Sequence, residues 1–380
     1  MTTGVNSPFS SSLALEQALA SKLQELLGGI SWLHDTRVEH IGGKASSRFD
    51  LSARLTLPCG DVTLYVECKS EMRPSAFGAF AAVKLPPSEP GLIPAPVLAL
   101  PFVSSRLADL CVQHGWNWYD LAGNCHIEVP GAVYLERRGQ APTYRQPRPK
   151  ANLGTPEAGR VIRALLAPEN ARKRWTQRDM VTHFGELRIP KPSLGLVNKV
   201  VQHLRDEAFI EISGDGGFRL RDPLKLLFEW RDAYRFDRHE RRGCFTLLRG
   251  RQLQDALYKL ELEAGGLAAY AAFSAADFQA PHVRQAKTWI YVRQDYIPRF
   301  EALTEAKTVD TGENLMLLIP DDDGVFYMCE GGQVGDRRLA CTNVVQTYVD
   351  LFNCRGRGEE AAEALLEQRL KPEWNRSGLV

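Results

Sequence analysis

The chain has 380 residues, of which 44% are hydrophobic and 24% are charged. Its 47 Lys and Arg balance 46 Asp and Glu, and a net charge of +1 excludes a uniformly basic nucleic-acid-binding protein, so any DNA contact must come from local basic patches. The chain is too long for one ordinary hydrophobic core, which predicts two or three domains.

The cysteine pattern and the hydropathy bear on location. The 8 cysteines form no C-x-x-C pair, and no His is placed to complete a zinc site with them, which indicates reduced thiols. The first residues lack a basic segment followed by an apolar one, and no apolar run is long enough to span a bilayer. We therefore expect a cytoplasmic protein with no membrane partner.

The first elements alternate between helix and strand. A helix over residues 13–27 carries leucines on one face, at Leu15, Leu19, Leu23 and Leu26. Strands follow over 50–57 and 62–69, then a strand in "PVLALPFV", a helix from Ser104, and strands in "WNWYDLAGNCHIEV" and "AVYLERR". This order predicts an α/β domain over residues 1–140.

Asp50 begins the first of these strands, and Glu67-Cys68-Lys69 ends the second. Strand alternation places Glu67 and Lys69 on one face. Carboxylates that hold a divalent ion, beside a Lys that positions water, suit phosphodiester hydrolysis. The pattern resembles the D…E-x-K core of the PD-(D/E)-x-K superfamily, which implies a restriction-endonuclease-like fold with Asp50, Glu67 and Lys69 catalytic and Mg²⁺ held by Asp50 and Glu67. The alternative is an exposed Glu–Lys pair on a domain that no longer cuts, and we expect no cofactor unless this site is active.

Residues 141–152 are predicted to be a linker. They lie largely within "RRGQAPTYRQPRPK", residues 137–150, which holds five basic residues, no acidic residue and three prolines. This composition is typical of a connection between domains.

Three short helices and a hairpin follow, and they predict a winged helix-turn-helix over residues 153–242. Thr155, Thr176 and Ser193 are predicted to cap the helices, the second ending near Phe184 and the third near Ala208. "FIEISGDGGFRLRD" predicts two strands around a Gly-Asp-Gly-Gly turn. Residues 151–242 contain 18 Lys and Arg and 13 Asp and Glu, an excess of five positive charges that favours DNA.

The third helix is the predicted recognition helix, because its buried stripe leaves polar side chains outside. Asn can hydrogen-bond adenine, Lys can bind guanine or phosphate, and an arginine of the wing can bind the DNA backbone. The arginines and lysines near helix two, Arg172, Lys173, Arg174 and Arg178, add positive charge. The predicted DNA-binding residues are Arg178, Lys191, Ser193, Asn198, Lys199, Gln202 and Arg219.

Residues 243–380 predict a separate C-terminal α/β domain for regulation or self-association. The expected elements are a helix over 252–263, strands in "GLAAYAAF" and "KTWIYVRQ", the strand pair "NLMLLIP" and "GVFYMCE" around Asp321–Gly324, and two closing helices. A degenerate nucleotidyltransferase is an alternative, in which Ser274, Asp277 and the acidic turn at 321–323 are remnants of a site that lacks its glycine.

Two stretches carry a family resemblance. "LPFVSSRLADLCVQHGWNWYDLAGNCHIEVPGAVYLERRGQ" and the closing "VVQTYVDLFNCRGRGEEAAEALLEQRL" resemble the AbiEi antitoxins, transcriptional regulators of type IV toxin–antitoxin systems. The resemblance implies a repressor that binds double-stranded DNA at its own promoter and forms no stable complex with the toxin. Many members place the winged helix first, whereas here an α/β domain precedes it. Paired operator sites would suit a homodimer.

Two other hypotheses remain open. One is a Mg²⁺-dependent DNA endonuclease that uses Asp50, Glu67 and Lys69 and is targeted by its winged helix. The other is a protein-interaction scaffold in which neither site contacts nucleic acid.

Overall fold

The structure, a computed structural model, describes residues 9, 11–33, 36–42, 48–57, 60–83, 85, 92–144, 149–187, 189–329 and 339–379. The protein is a mixed α/β chain that forms two compact units, residues 1–148 and 149–380. The division between them falls within the predicted 141–152 linker. Within the described ranges, no helix has the length and apolar character needed to cross a membrane.

Unit 1 is built on one seven-stranded sheet with the strands in chain order. The strands β3, β4 and β5 are mutually parallel, and the other neighbouring pairs are antiparallel. Its elements are α1 Ser12–Gly28, β1 Arg37–His40, β2 Leu51–Leu55, β3 Asp61–Cys68, α2 Pro74–Ala81, β4 Leu92–Leu100, α3 Ser105–Gln113, β5 Asn117–Asp120, β6 Cys125–Val129 and β7 Val133–Arg137.

Two apolar clusters cover the faces of this sheet. The leucines predicted for α1 are buried and pack against one face, with Val62, Leu64 and Val66 of β3. The other face packs against α2 and α3 through Phe77 and Leu107. Because β3 is covered on both faces, its last residues lie at a rigid strand end, and the Asp50–Lys69 site is built there.

Unit 2 combines a helical part with a five-stranded sheet in the order β11-β12-β14-β10-β13, in which only β12 and β14 are parallel neighbours among the described strands. Short 3₁₀ turns occupy 168–170, 236–238, 294–296 and 323–326, and a π turn at 366–370 joins the last two helices. The elements are α4 Pro156–Leu166, α5 Gln177–Gly185, α6 Leu194–Asp206, β8 Ile210–Ile212, β9 Phe218–Leu220, α7 Pro223–Ala233, β10 Glu240–Phe245, α8 Gly250–Ala264, β11 Ala268–Tyr270, α9 Ala272–Gln279, β12 Thr288–Val292, α10 Ile297–Thr304, β13 Lys307–Thr308, β14 Leu315–Ile319, α11 Val344–Phe352, α12 Gly358–Leu365 and α13 Lys371–Arg376.

The predicted helices and hairpin at 155–222 lie where the sequence places them. Thr155, Thr176 and Ser193 each accept a hydrogen bond from a backbone N–H in the first turn of their helix. β8 and β9 pair across the Gly-Asp-Gly-Gly turn, and a bridge from Trp175 to Phe218 adds a third strand segment. The cap residues were informative because they satisfy helix N–H groups that otherwise have no partner.

The helical part and the sheet of unit 2 share one hydrophobic cluster. Trp230 of α7 and Trp374 of α13 both belong to it and are almost fully buried. The boundary predicted between residues 242 and 243 falls inside β10, which pairs with β14 through Glu240–Cys244. The division of residues 153–380 into two domains stays a prediction.

One predicted strand was wrong, and another is shorter than predicted. The stretch "GVFYMCE" forms a 3₁₀ turn at Asp323–Phe326 instead of pairing with β14, because the Asp322 carboxylate accepts a hydrogen bond from Gly324 N and caps that turn. In "GLAAYAAF" the strand β11 ends at Tyr270, and α9 starts at Ala272. Most of α9 is buried, so its sequence shows no polar face that would distinguish a helix from a strand.

Candidate functional site

The start of α6 forms an exposed polar surface in unit 2. Ser193 Oγ accepts a hydrogen bond from Leu196 N at 3.2 Å and fixes the first turn. The predicted apolar stripe of α6 is buried, and the first turn contains no acidic residue. The positive end of the helix dipole is therefore not offset by a carboxylate of its own first turn, which favours an approaching anion.

A chain of amides joins α6 to the start of α5. Asn198 Oδ1 accepts hydrogen bonds from Gln177 Nε2 at 3.1 Å and from Gln202 Nε2 at 3.2 Å. Asn198 and Gln202 were predicted site residues, and Gln177 was not. This network holds the Asn198 amide in one orientation, with its NH₂ group unused by either bond.

Three predicted cations are exposed beside this network, namely Arg178, Lys191 and Lys199. No ion pair joins them to a carboxylate in the part of the chain that the structure describes. Arg219, on β9, is also exposed but donates to Glu211 Oε2 from Nε at 2.9 Å and from Nη2 at 2.8 Å. An exposed pair of this kind contributes little stability, so Arg219 can exchange Glu211 for another anion at low cost.

The other basic residues before α5 make contacts inside the protein. Arg172 donates to the backbone oxygen of Arg376, and Arg174 forms a salt bridge with Asp215. The Lys173 ammonium lies 3.7 Å from the centre of the Trp175 ring. These contacts limit how far Arg172, Lys173 and Arg174 can contribute to a DNA-binding surface. The local sequence could not reveal such contacts.

In unit 1 the structure brings Asp50, Glu67 and Lys69 together. Asp50 Oδ2 accepts a hydrogen bond from Cys68 N at 2.7 Å, between the other two residues. Lys69 Nζ donates to Glu67 Oε1. Glu67 is 5% exposed, so the pair is not the exposed surface pair that the alternative interpretation assumed.

Glu67 Oε2 is the feature of this site that bears on a metal. It is buried and has no hydrogen-bond partner among the described residues. Two carboxylates and several water molecules suit Mg²⁺, so Asp50 and Glu67 fit such an ion in part. However, the described residues contain no group of three His, Cys, Asp or Glu placed to hold a metal.

Negative charge surrounds Cys68 in this site. Burial raises the pKa of the Cys68 thiol, and the carboxylates of Asp50, Glu16 and Glu67 raise it further. Glu16, on α1, was not predicted to lie here because it is 34 residues before Asp50 in the chain. The thiol therefore stays protonated.

The remnants of a nucleotidyltransferase site have structural contacts. Ser274 Oγ accepts a hydrogen bond from Trp289 N at 2.8 Å. Asp322 forms a salt bridge with Arg160. Burial alone would raise the pKa of the Asp322 carboxyl, but the hydrogen bonds and positive charge of Arg160 outweigh burial, so the pKa is lowered overall. These contacts account for both residues without a nucleotide.

Comparison with known proteins gives one family match, to part of the chain. Residues 219–371 match the family described as "Transcriptional regulator, AbiEi antitoxin, Type IV TA system". The AbiEi resemblance is thus confirmed for this part of the chain, which includes the closing helices, whereas the stretch over residues 100–140 lies outside the match. No curated protein and no solved structure matches the chain. The family match supports a role as a toxin–antitoxin regulator.

Proposed function

We propose that the protein is a sequence-specific DNA-binding repressor and the antitoxin of a type IV toxin–antitoxin system. The observation that carries the DNA-binding part is the surface of α5 and α6, where Arg178, Lys191 and Lys199 are exposed on or just before the two helices that the Asn198 amide joins. The AbiEi match begins at Arg219, in the hairpin that directly follows α6, and adds the regulatory role.

In this proposal α4–α6 and the β8–β9 hairpin act as a winged helix-turn-helix. The start of α6 enters the major groove, where the free NH₂ group of Asn198 and the Lys199 ammonium face base edges. Gln177 and Gln202 hold the Asn198 amide by hydrogen bonds, so little side-chain freedom is lost on binding.

Phosphates are bound at the edge of the same surface. Ser193 caps α6, so the N–H groups of its first turn point toward an approaching backbone oxygen. Arg178 and Lys191 supply charge without first breaking an ion pair to a described residue, and Arg219 exchanges Glu211 for a phosphate. Contacts of this kind position the protein, and Asn198 and Lys199 select the sequence.

The proposed target is the promoter of the protein's own operon. Binding to paired half-sites would make the active form a homodimer, and no stable toxin complex is part of the proposal. The test is to titrate the upstream DNA and a shuffled duplex of the same composition at several salt concentrations. We expect tighter binding to the upstream DNA, by about 1,000-fold or more, with affinity falling steeply as salt increases. Equal affinity for both duplexes would contradict a sequence-specific repressor.

A Mg²⁺-dependent endonuclease is the second candidate function, and the buried, unpartnered Glu67 Oε2 is the observation that favours it. Its test is cleavage of supercoiled DNA with Mg²⁺ or Mn²⁺, in which Asp50→Ala and Lys69→Ala should abolish cutting. Glu71→Gln, which changes an exposed acid two residues after Lys69, should leave cutting unchanged. Cutting that survives both site substitutions, or no cutting by the unaltered protein, would end this hypothesis.

A further inference from the structure

A small cleft opens in unit 2, and the residues that line it lie outside α5 and α6. One wall is the N-terminus of α4, another is the end of α7, and a third is the turn at Asp321 and Asp322. The residues that matter for its chemistry are Thr155, Arg163, Trp230, Arg235, Arg238 and Asp321.

Arg163 is the unusual member of this lining. It is only 3% exposed, and its Nη1 has no hydrogen-bond partner among the described residues. Its Nε donates to Gln346 Oε1, and its guanidinium carbon lies 5.1 Å from the centre of the Trp230 ring. Within the described ranges no carboxylate forms an ion pair with it, but Asp322 and Asp350 offset its charge from a longer distance. The unsatisfied Nη1 donor is therefore the costly feature of this side chain.

Two glycines make room for the Arg163 guanidinium. A Cβ atom added at Gly159 would lie 3.1 Å from Arg163 Nη1, and a Cβ atom added at Gly324 would lie at the same 3.1 Å distance. At Gly324 the added atom would also lie 2.4 Å from Asp322 Oδ1. A side chain at Gly159 would require the guanidinium to shift slightly, whereas one at Gly324 would clash with Asp322.

The remaining walls favour a small anion. The N-terminus of α4, capped by Thr155, contributes partial positive charge, which the exposed Glu157 of its first turn offsets in part. Arg235 and Arg238 are exposed at the rim. Arg235 forms an exposed salt bridge with Asp237, which an anion can replace at low cost, and Arg238 Nη1 donates to the Gly154 backbone oxygen at 2.9 Å. The Asp322 carboxylate forms a salt bridge with Arg160, which leaves Asp321 as the acidic residue of the lining that has no ion pair to a described residue.

We infer that this cleft binds a small molecule through a phosphate group, with Arg163 as the buried anchor and Arg235 and Arg238 at the entrance. Guanidinium groups and a helix N-terminus together suit a phosphate, because both present N–H donors to its oxygens. Asp321 faces hydrogen-bond donors elsewhere on the ligand. The same aspartate disfavours a DNA backbone, since the neighbouring phosphates of a duplex would approach it.

The test uses the full chain and inorganic phosphate as the probe, at constant ionic strength with chloride as the reference anion. We expect saturable binding at one site by calorimetry and a rise of the melting temperature. Arg163→Gln should weaken phosphate binding by about tenfold or more, and so should the double change Arg235→Gln with Arg238→Gln. Arg251→Gln, at an exposed position of α8, is the matched control and should bind phosphate normally.

The double variant Arg235→Gln with Arg238→Gln, here called the rim variant, keeps the inference testable if Arg163→Gln fails to fold, because both of its altered side chains are exposed. Absent phosphate binding in the unaltered chain, or full binding by the rim variant, would overturn the site. If the rim variant lost promoter DNA binding and the unaltered chain did not bind phosphate, the cleft would be assigned to DNA, which would also overturn the inference. This inference does not depend on the proposed repressor function.

Discussion

Asp350 is fully buried at the centre of a polar network in unit 2. Its Oδ1 accepts hydrogen bonds from Tyr234 Oη at 3.0 Å, Tyr291 Oη at 3.2 Å and Gln346 Nε2 at 2.7 Å. Burial raises the pKa of Asp350 to about 7, although these hydrogen bonds oppose the shift. The residue therefore holds its proton at mildly acidic pH while the unfolded chain loses it.

Replacing this carboxyl group should change how stability depends on pH. Below about pH 4 Asp350 is protonated in both the folded and the unfolded state, so it does not reduce the free energy of unfolding. As pH rises from 4 to 7, Asp350 ionises only in the unfolded state, and the free energy of unfolding falls. The loss reaches about 4 kcal/mol above pH 7. We expect Asp350→Asn to gain stability relative to the unaltered protein between pH 4 and pH 7, as measured by urea unfolding. A difference between the two proteins that does not vary with pH would contradict this.

Individual site residues differ in how far sequence could place them. Lys199 and Ser193 follow from helix periodicity and capping, and both lie as predicted on and before α6. The partner of Arg172 could not be foreseen, because the Arg376 backbone is 204 residues away in the chain. Tertiary contacts of this range leave no local pattern in the sequence.

At the scale of elements, the cap of α6 supports the proposed DNA surface. Ser193→Ala removes the acceptor for Leu196 N and should lower the free energy of unfolding by about 1 kcal/mol. Thr182→Ala, at an exposed interior position of α5, is the control and should have little effect or a slight stabilising one. Urea unfolding measures both. Equal stability of the two variants would show that the cap contributes nothing.

Helices with a capping residue and one polar face were predictable from the sequence, whereas a mostly buried helix was not. α1 and α6 combine a cap with a leucine- or valine-rich stripe, and both were confirmed. The strand predicted in "GLAAYAAF" is shorter than expected, because α9 begins at Ala272 and is mostly buried, which hides its periodicity. The strand predicted in "GVFYMCE" was wrong, because the Asp322 carboxylate caps a turn at Asp323–Phe326 instead.

At the scale of the whole molecule, the nuclease-like site and the proposed DNA-binding surface lie in different units. The Asp50–Lys69 site lies in unit 1, whereas the α5–α6 surface and the AbiEi match lie in unit 2. The sequence predicted an α/β chain with a helical segment between two sheets, and this mixed architecture is confirmed. Sequence could not reveal that the helical segment and the second sheet share one hydrophobic cluster, because that cluster joins residues over 200 positions apart.

The most direct test of the central claim is the affinity of a Lys199→Glu variant for the upstream DNA. Lys199 is exposed on α6, so reversing its charge should leave the fold intact and weaken binding by about 10- to 100-fold. Lys259→Glu makes the same change on α8, outside the proposed surface, and should bind nearly as the unaltered protein does. Equal affinities of the two variants would contradict the account, because α6 would then have no special part in binding DNA.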